Sequence, residues 1–157
     1  MGFVRRLLGL QQPPPAPVGE PRLTDAKLST EELALSGPVA RDRLPAVAVV
    51  ILNYNGQRHL EGCFASLREL DYPEDLLRVT LVDNGSSDES IPTVKRDHPW
   101  VHLIENGRNL GFSAGCNQGA KSAKDAKVLV FLNNDMRVEP EFLRELVSPI
   151  VRGECQA

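Results

Sequence analysis

Four short runs of β-branched and aliphatic residues, at 46–52, 79–82, 101–104 and 128–132, punctuate this chain, and each gives way to a polar segment rich in Asn, Asp and Gly. Continuous apolar runs of this length read as strands buried on both faces. Between them, apolar residues recur at helical spacing. Leu60, Cys63, Phe64, Leu67 and Leu70 mark a first helix. A second is expected to start near Ser87 to Ser90, where Ser and Asp can cap it and Pro92 is tolerable in the first turn. A third, rich in small residues, spans 113–123 with Ser113 as its N-cap. A fourth has Pro140 in its first turn and an apolar face of Phe142, Leu143, Leu146, Val147 and Ile150, and is expected to end at Pro149 and Gly153. Strands alternating with helices imply parallel βαβ units, because parallel neighbours need a crossover long enough to hold a helix.

The chain divides near residue 45. Seven of the twelve prolines lie at or before Pro45, and 11–17 read QQPPPAP, a spacer unable to join a packed core. Residues 1–45 are therefore expected to be a Pro-rich disordered tail with a weak helix at 23–35, and 46–157 the folded part. The ten residues MGFVRRLLGL pair an apolar face with Arg5 and Arg6, which allows peripheral contact with a membrane surface. No apolar run exceeds seven residues, far from the ~20 that a spanning helix needs. With 18 Lys and Arg against 21 Asp and Glu, the balance argues against electrostatic binding to nucleic acid. Cys63, Cys116 and Cys155 are few, odd in number and widely spaced. They fit neither a disulfide framework nor a zinc site, and read as reduced thiols of a cytoplasmic protein.

Parallel strands share one carboxyl edge, so the four polar segments should converge there: 53–56 (Asn-Tyr-Asn-Gly), 83–88 (Asp-Asn-Gly-Ser-Ser-Asp), 106–112 and 133–135 (Asn-Asn-Asp). Open α/β sheets bind ligands at that edge. Each segment also has a plain reading. Asn55-Gly56 could be a hairpin turn, although the helical period after it favours a strand-to-helix turn. The second could be a turn plus a cap, and the fourth a simple loop. Asn84-Gly85-Ser86 matches a glycosylation sequon, a chance match at an interior edge. The dinucleotide fingerprint Gly-x-Gly-x-x-Gly is absent, and the stretch from Gly115 to Ser122 misses the phosphate-binding loop because Ala120 intervenes before Lys121. Gly111, Gly115 and Gly119 instead recur every four residues, a bare helix face open to close approach. His59 and His98 are expected to face solvent and His102 to lie in a strand.

VVILNYNG (49–56), LVDNGSSDES (81–90), NLGFSAGCNQGA (109–120) and VLVFLNNDMRVEP (128–140) occur in this order. Together they resemble the amino-terminal half of a family 2 glycosyltransferase of the GT-A fold, nearest the rhamnosyltransferase-like group. The resemblance implies an α/β, Rossmann-like parallel sheet with flanking helices, cut off after about four strands. It implies a UDP- or dTDP-sugar donor, a glycan or lipid-linked acceptor, and Mg²⁺ or Mn²⁺. Residue by residue, Asn53, Tyr54 and Asn55 would border the donor nucleotide. Asp83 would hydrogen-bond its base, with Asn84, Gly85 and Ser86 shaping that loop. Asn109, Gly111, Phe112, Gly115 and Asn117 would line the donor pocket, with Asn133 and Asn134 beside them. Asp135 would close the family's Asp-x-Asp motif and meet the metal on the diphosphate.

Two departures stand out. The motif's first Asp is Asn133, a neutral amide that brings no charge to a cation, so metal affinity without donor should be weak. The general base that an inverting displacement needs has no matching residue. The expectation is thus an incomplete enzyme that supplies the donor-binding half. The alternatives are a non-catalytic nucleotide-sugar-binding module and a sugar-phosphate nucleotidyltransferase, which would want a Gly-rich basic loop after the first strand.

Overall fold

A computed structural model describes residues 37–154. The expectations for a tail helix at 23–35 and for membrane contact at 1–10 lie outside the described residues. Strands β1 (Val47–Asn53), β2 (Leu77–Asp83), β3 (His102–Glu105) and β4 (Val128–Asn133) form one sheet in the order β3-β2-β1-β4, with every pairing parallel. Helices α1 (Gln57–Arg68), α2 (Ser90–Asp97), α3 (Phe112–Ser122) and α4 (Phe142–Arg152) make the connections and follow the last strand. The strand-and-helix alternation expected from the sequence is present throughout. No described helix is long and apolar enough to cross a membrane.

The central strand is buried on both faces because helices cover both. Val47, Val49 and Ile51 join a cluster with Leu60, Cys63, Phe64 and Leu67 of α1, Val94 of α2, and Leu143 and Val147 of α4. Side chains alternate along a strand, so Ala48, Val50 and Leu52 face the other way. There α3 lies directly on the sheet. A Cβ on Gly119 would stand 2.3 Å from Val50 Cγ1, and one on Gly115 would stand 2.3 Å from Leu52 Cδ1. The four-residue glycine spacing is what lets this helix backbone approach. Each fully buried Leu, Ile or Phe contributes about 1.5–3 kcal/mol, and α1 places Leu60, Phe64 and Leu67 at 0–1% exposure on one stripe.

Four local expectations are corrected. The folded unit starts before residue 46: Val39 and Leu44 are buried, and Arg144 and Arg152 donate to the carbonyls of Val39 and Gly37. A strap held by α4 therefore occupies the end of the segment expected to be tail. Helix α3 begins after Gly111, whose φ of 83° only glycine adopts freely, and Ser113 lies inside it rather than capping it. Pro149 sits within α4, which continues to Arg152 and stops at Gly153 in the left-handed conformation. His98 is 7% exposed, edge-on to Phe64 at 4.8 Å, with Nε2 3.2 Å from Glu61 Oε2 but not aligned for a hydrogen bond.

Candidate functional site

The strand register brings the polar segments to one edge. Asn53 pairs with Asp83, Asp83 with Glu105, and Leu52 with Asn133, so the four loops leave the sheet at the same level. At their centre is Asp83, with no exposed surface. A buried carboxylate is tolerable only when donors surround it. Here Oδ2 accepts the backbone N–H groups of Gly85 (3.0 Å) and Ser86 (2.8 Å). Oδ1 accepts the Asn53 amide at 3.0 Å and the Ser86 hydroxyl. These four bonds order the loop after β2.

Asn53, also fully buried, ties three segments together. Its amide donates to Asp83 and to Ser86 Oγ (3.1 Å), and its carbonyl oxygen accepts Asn134 Nδ2 at 2.8 Å. The chain Asn134–Asn53–Asp83–Ser86 thus joins the loops after β4, β1 and β2. A side chain on Gly56 would collide with Asn134 and Asn53, which explains glycine at that position. Asn55, at φ 52°, accepts from the Ser87 N–H at 2.7 Å while its own N–H donates to Ser86 Oγ at 2.9 Å.

A second network holds the loop after β3. Asn84 is 2% exposed. Its Oδ1 accepts Asn106 Nδ2 at 2.9 Å, and its Nδ2 donates to Asn109 Oδ1 (3.2 Å) and the Gly111 carbonyl (3.1 Å). Asn109 Oδ1 also accepts the Gly111 N–H at 2.8 Å, which sets the start of α3. Gly85, at φ 79°, lies against the Arg108 backbone.

The residues singled out from the sequence therefore fall into two layers. Asn53, Asp83, Asn84 and Gly115 are buried and build the rim, and Gly85, Ser86 and Asn134 are half-buried within it. Tyr54 (53% exposed), Phe112 (65%), Asn55, Asn109, Gly111, Asn117, Asn133 and Asp135 lie on the surface, where a ligand could meet them. Two aromatic side chains and several amides at one edge can stack on and hydrogen-bond a flat, polar ligand. Among the described residues no group of three or more His, Cys, Asp or Glu could hold a metal. Asp135 is exposed and makes no ion pair among the described residues. Burial, and then the nearby Asp135 charge, push the Cys63 thiol up to about 11, so it stays protonated and unreactive at neutral pH.

Asn106 and Asp88 belong to the rim's support but were not among the site residues read from the sequence. Asn106 sits in a segment already marked as polar. The reach of Asp88 has no local signature. Its carboxylate accepts the N–H of Gln57, which opens α1, and that of Ser90, which opens α2, both at 3.0 Å. Burial pushes this carboxyl up, but hydrogen bonds from Ser90 and Gln57 outweigh it and hold the group below the usual carboxylate range. Asp88→Ala should cost about 1–2 kcal/mol, as lost caps do. The stabilisation is complete above the unfolded value of 3.8 and is lost as pH falls through the lower folded value. Melting curves of variant and parent should differ at pH 7 and converge under strong acid.

The family model described as glycosyl transferase family 2 matches residues 48–157. The low-salt glycan biosynthesis hexosyltransferase Agl10 of Haloferax volcanii is 26% identical over 113 residues, covering 70% of this chain and 34% of that protein. The N-acetylglucosaminyl-diphospho-decaprenol L-rhamnosyltransferase of Mycobacterium tuberculosis is 38% identical over 77 residues, 49% of this chain and 24% of that one. Among solved structures, the mannosyltransferase PcManGT from Pyrobaculum calidifontis, in complex with GDP-Man and Mn²⁺, superposes with a TM-score of 0.62 at 26% identity, over 71% of this chain and 34% of that one. TarS 1–349 of S. aureus with UDP-GlcNAc gives 0.61 at 21%, over 66% and 30%, a likeness of fold. The chain spans about a third or less of the length of the curated relatives it matches.

Proposed function

The chain belongs to glycosyl transferase family 2, and from that premise we propose that its carboxyl-edge rim holds the nucleotide diphosphate of an activated sugar for transfer to an acceptor hydroxyl. The observation that carries this reading is the hydrogen-bonded chain Asn134–Asn53–Asp83–Ser86, which ties three loops together at the carboxyl edge. Loops cross-linked in this way have less freedom to lose on binding. Support also comes from the nucleotide sugars seen in PcManGT and TarS.

In this reading the exposed Tyr54 and Phe112 flank the nucleoside, and the amides of Asn55, Asn109 and Asn117 hydrogen-bond base and ribose. Asp83 acts through the Gly85–Ser86 backbone that it orders. Asp135 is the hard carboxylate suited to Mg²⁺ or Mn²⁺, and Asn133 can add an amide oxygen. That donor set fits a cation which the donor's own phosphates complete. When bound, the ion offsets negative charge that develops on the departing diphosphate. The transfer breaks the bond between the anomeric carbon and the phosphate oxygen while an acceptor oxygen bonds from the opposite face. The hydroxyl proton goes to a base that the rim residues named here do not supply. The glycan or lipid-linked acceptor and the UDP or dTDP donor belong to the same proposal.

Calorimetric titration with UDP-, dTDP- and GDP-sugars, with and without Mn²⁺, tests it. Binding should be seen and should tighten with the metal. Asp135→Asn should remove that metal-dependent gain, a loss of roughly 10–100-fold on the scale of metal-site groups. A manganese response that survives the change would move the cation elsewhere. No binding of any nucleoside diphosphate would refute the function itself.

A further inference from the structure

The polar loops leave the sheet at different places across its width. In the order β3-β2-β1-β4, the loops after β3 and β4 lie three strand spacings apart, roughly 14 Å. With Asp135, after β4, at the diphosphate end, an extended nucleoside diphosphate that crosses the rim brings its base towards the loop after β3. That loop is anchored on both sides of residue 108. The Asn106 N–H donates to the Asp83 carbonyl at 2.9 Å, and the side chains of Asn106 and Asn109 both bond the side chain of Asn84. Between these anchors the Arg108 backbone lies against Gly85, so close that a Cβ added to the glycine would stand 2.7 Å from the Arg108 Cα. Arg108 therefore borders the turn that Asp83 orders.

Two other arginines of this edge are engaged elsewhere. Arg58 Nε donates to His59 Nε2 at 2.9 Å. Arg137 lies along α1, with Nε and Nη2 each 2.7 Å from the place that a Cβ on Gly62 would take. Arg108 is exposed and makes no ion pair among the described residues. A guanidinium only donates, through N–H groups held in a planar fork. Beside a base it therefore favours an edge that accepts. Uracil and thymine offer O4 and guanine offers O6 with N7, whereas cytosine and adenine carry an amino group at the corresponding place. Granted the donor site proposed above, on which this rests, we infer that Arg108 selects the donor's base. Its guanidinium donates to the exocyclic carbonyl of uracil, thymine or guanine, and meets the amino group of cytosine or adenine donor to donor. A cation serving only the diphosphate would belong at the Asp135 end of the rim, across the full width of the sheet from Arg108.

Calorimetric titration of the full chain with UDP, dTDP, GDP, CDP and ADP, each with Mn²⁺, reads the outcome, because these ligands share a diphosphate and differ chiefly in base. UDP, dTDP and GDP should bind about 10–100-fold more tightly than CDP and ADP, the range for an arginine that reads a base edge. Arg108→Ala should lower affinity for the first three by about that factor, leave CDP and ADP nearly unchanged, and so erase the ranking. Its melting temperature should match the parent's, since the side chain is exposed. Equal affinity of the parent for all five ligands would overturn the assignment. An equal loss for all five in Arg108→Ala would also overturn it, and would put the guanidinium on the diphosphate. A ranking that survives the substitution would move base selection to another residue. Failure of all five to bind the parent would instead refute the donor site itself, and base selection with it.

Discussion

Replacing Asp83 with alanine should lower the melting temperature by roughly 10–20 °C and remove nucleotide-sugar binding with it. The change strands the Asn53 amide, the Ser86 hydroxyl and the N–H groups of Gly85 and Ser86, all of which now point at one buried carboxylate. Each unsatisfied buried donor costs about 1–3 kcal/mol when no water reaches it, and partial relaxation brings the total to about 3–4 kcal/mol. A domain of this size loses several degrees per kcal/mol. Asp83→Asn keeps the shape but turns an acceptor into a donor facing other donors, and should cost about half as much. Differential scanning calorimetry beside ligand titration separates the two roles. An intact melting temperature with lost affinity would mean that the ligand touches Asp83 itself.

Gly85→Ala should be nearly as damaging. The residue sits at φ 79°, where an L side chain costs about 1–2 kcal/mol. The added Cβ would stand 2.7 Å from the Arg108 Cα, and backbone cannot swing aside as a long side chain can. Displacing the 106–110 loop adds about 1–3 kcal/mol, for a total of about 2–5 kcal/mol. The displaced loop carries Asn109 and leads into α3, so donor affinity should fall together with stability. Thermal denaturation and calorimetry of the variant check both. A parent-like melting curve would mean that the loops after β2 and β3 do not pack as described.

The sheet and its functional edge were legible because they depend on period and order. The apolar runs around Val49, Leu81 and Val130 could only be strands, and parallel pairing then sent Asn53, Asp83 and Asn133 to one side. What escaped the sequence was burial of polar groups. Asp83 stands in a string of turn residues, and only tertiary packing turns its carboxylate inward. His98 was expected to face solvent for the same reason. Its neighbours Asp97 and Pro99 are exposed, but the chain bends so that Phe64 receives the ring. The strap at 37–45 was hidden by its prolines and glycine, which signal a linker until Arg144 and Arg152 bind its carbonyls. Ser113 was a reasonable cap by composition, yet the side chains of Asn84 and Asn109 bond the Gly111 carbonyl and N–H and start the helix earlier.

The rim is knitted largely from carboxamides: Asn53, Asn55, Asn84, Asn106, Asn109 and Asn134. Amides neither gain nor lose protons in water near neutrality, and no histidine takes part in these bonds. The mould should therefore keep its contour from mildly acidic to mildly alkaline solution. Any bell-shaped activity profile recorded for an assembly containing this polypeptide would then belong to the groups that shuttle protons, and not to a change in the cradle.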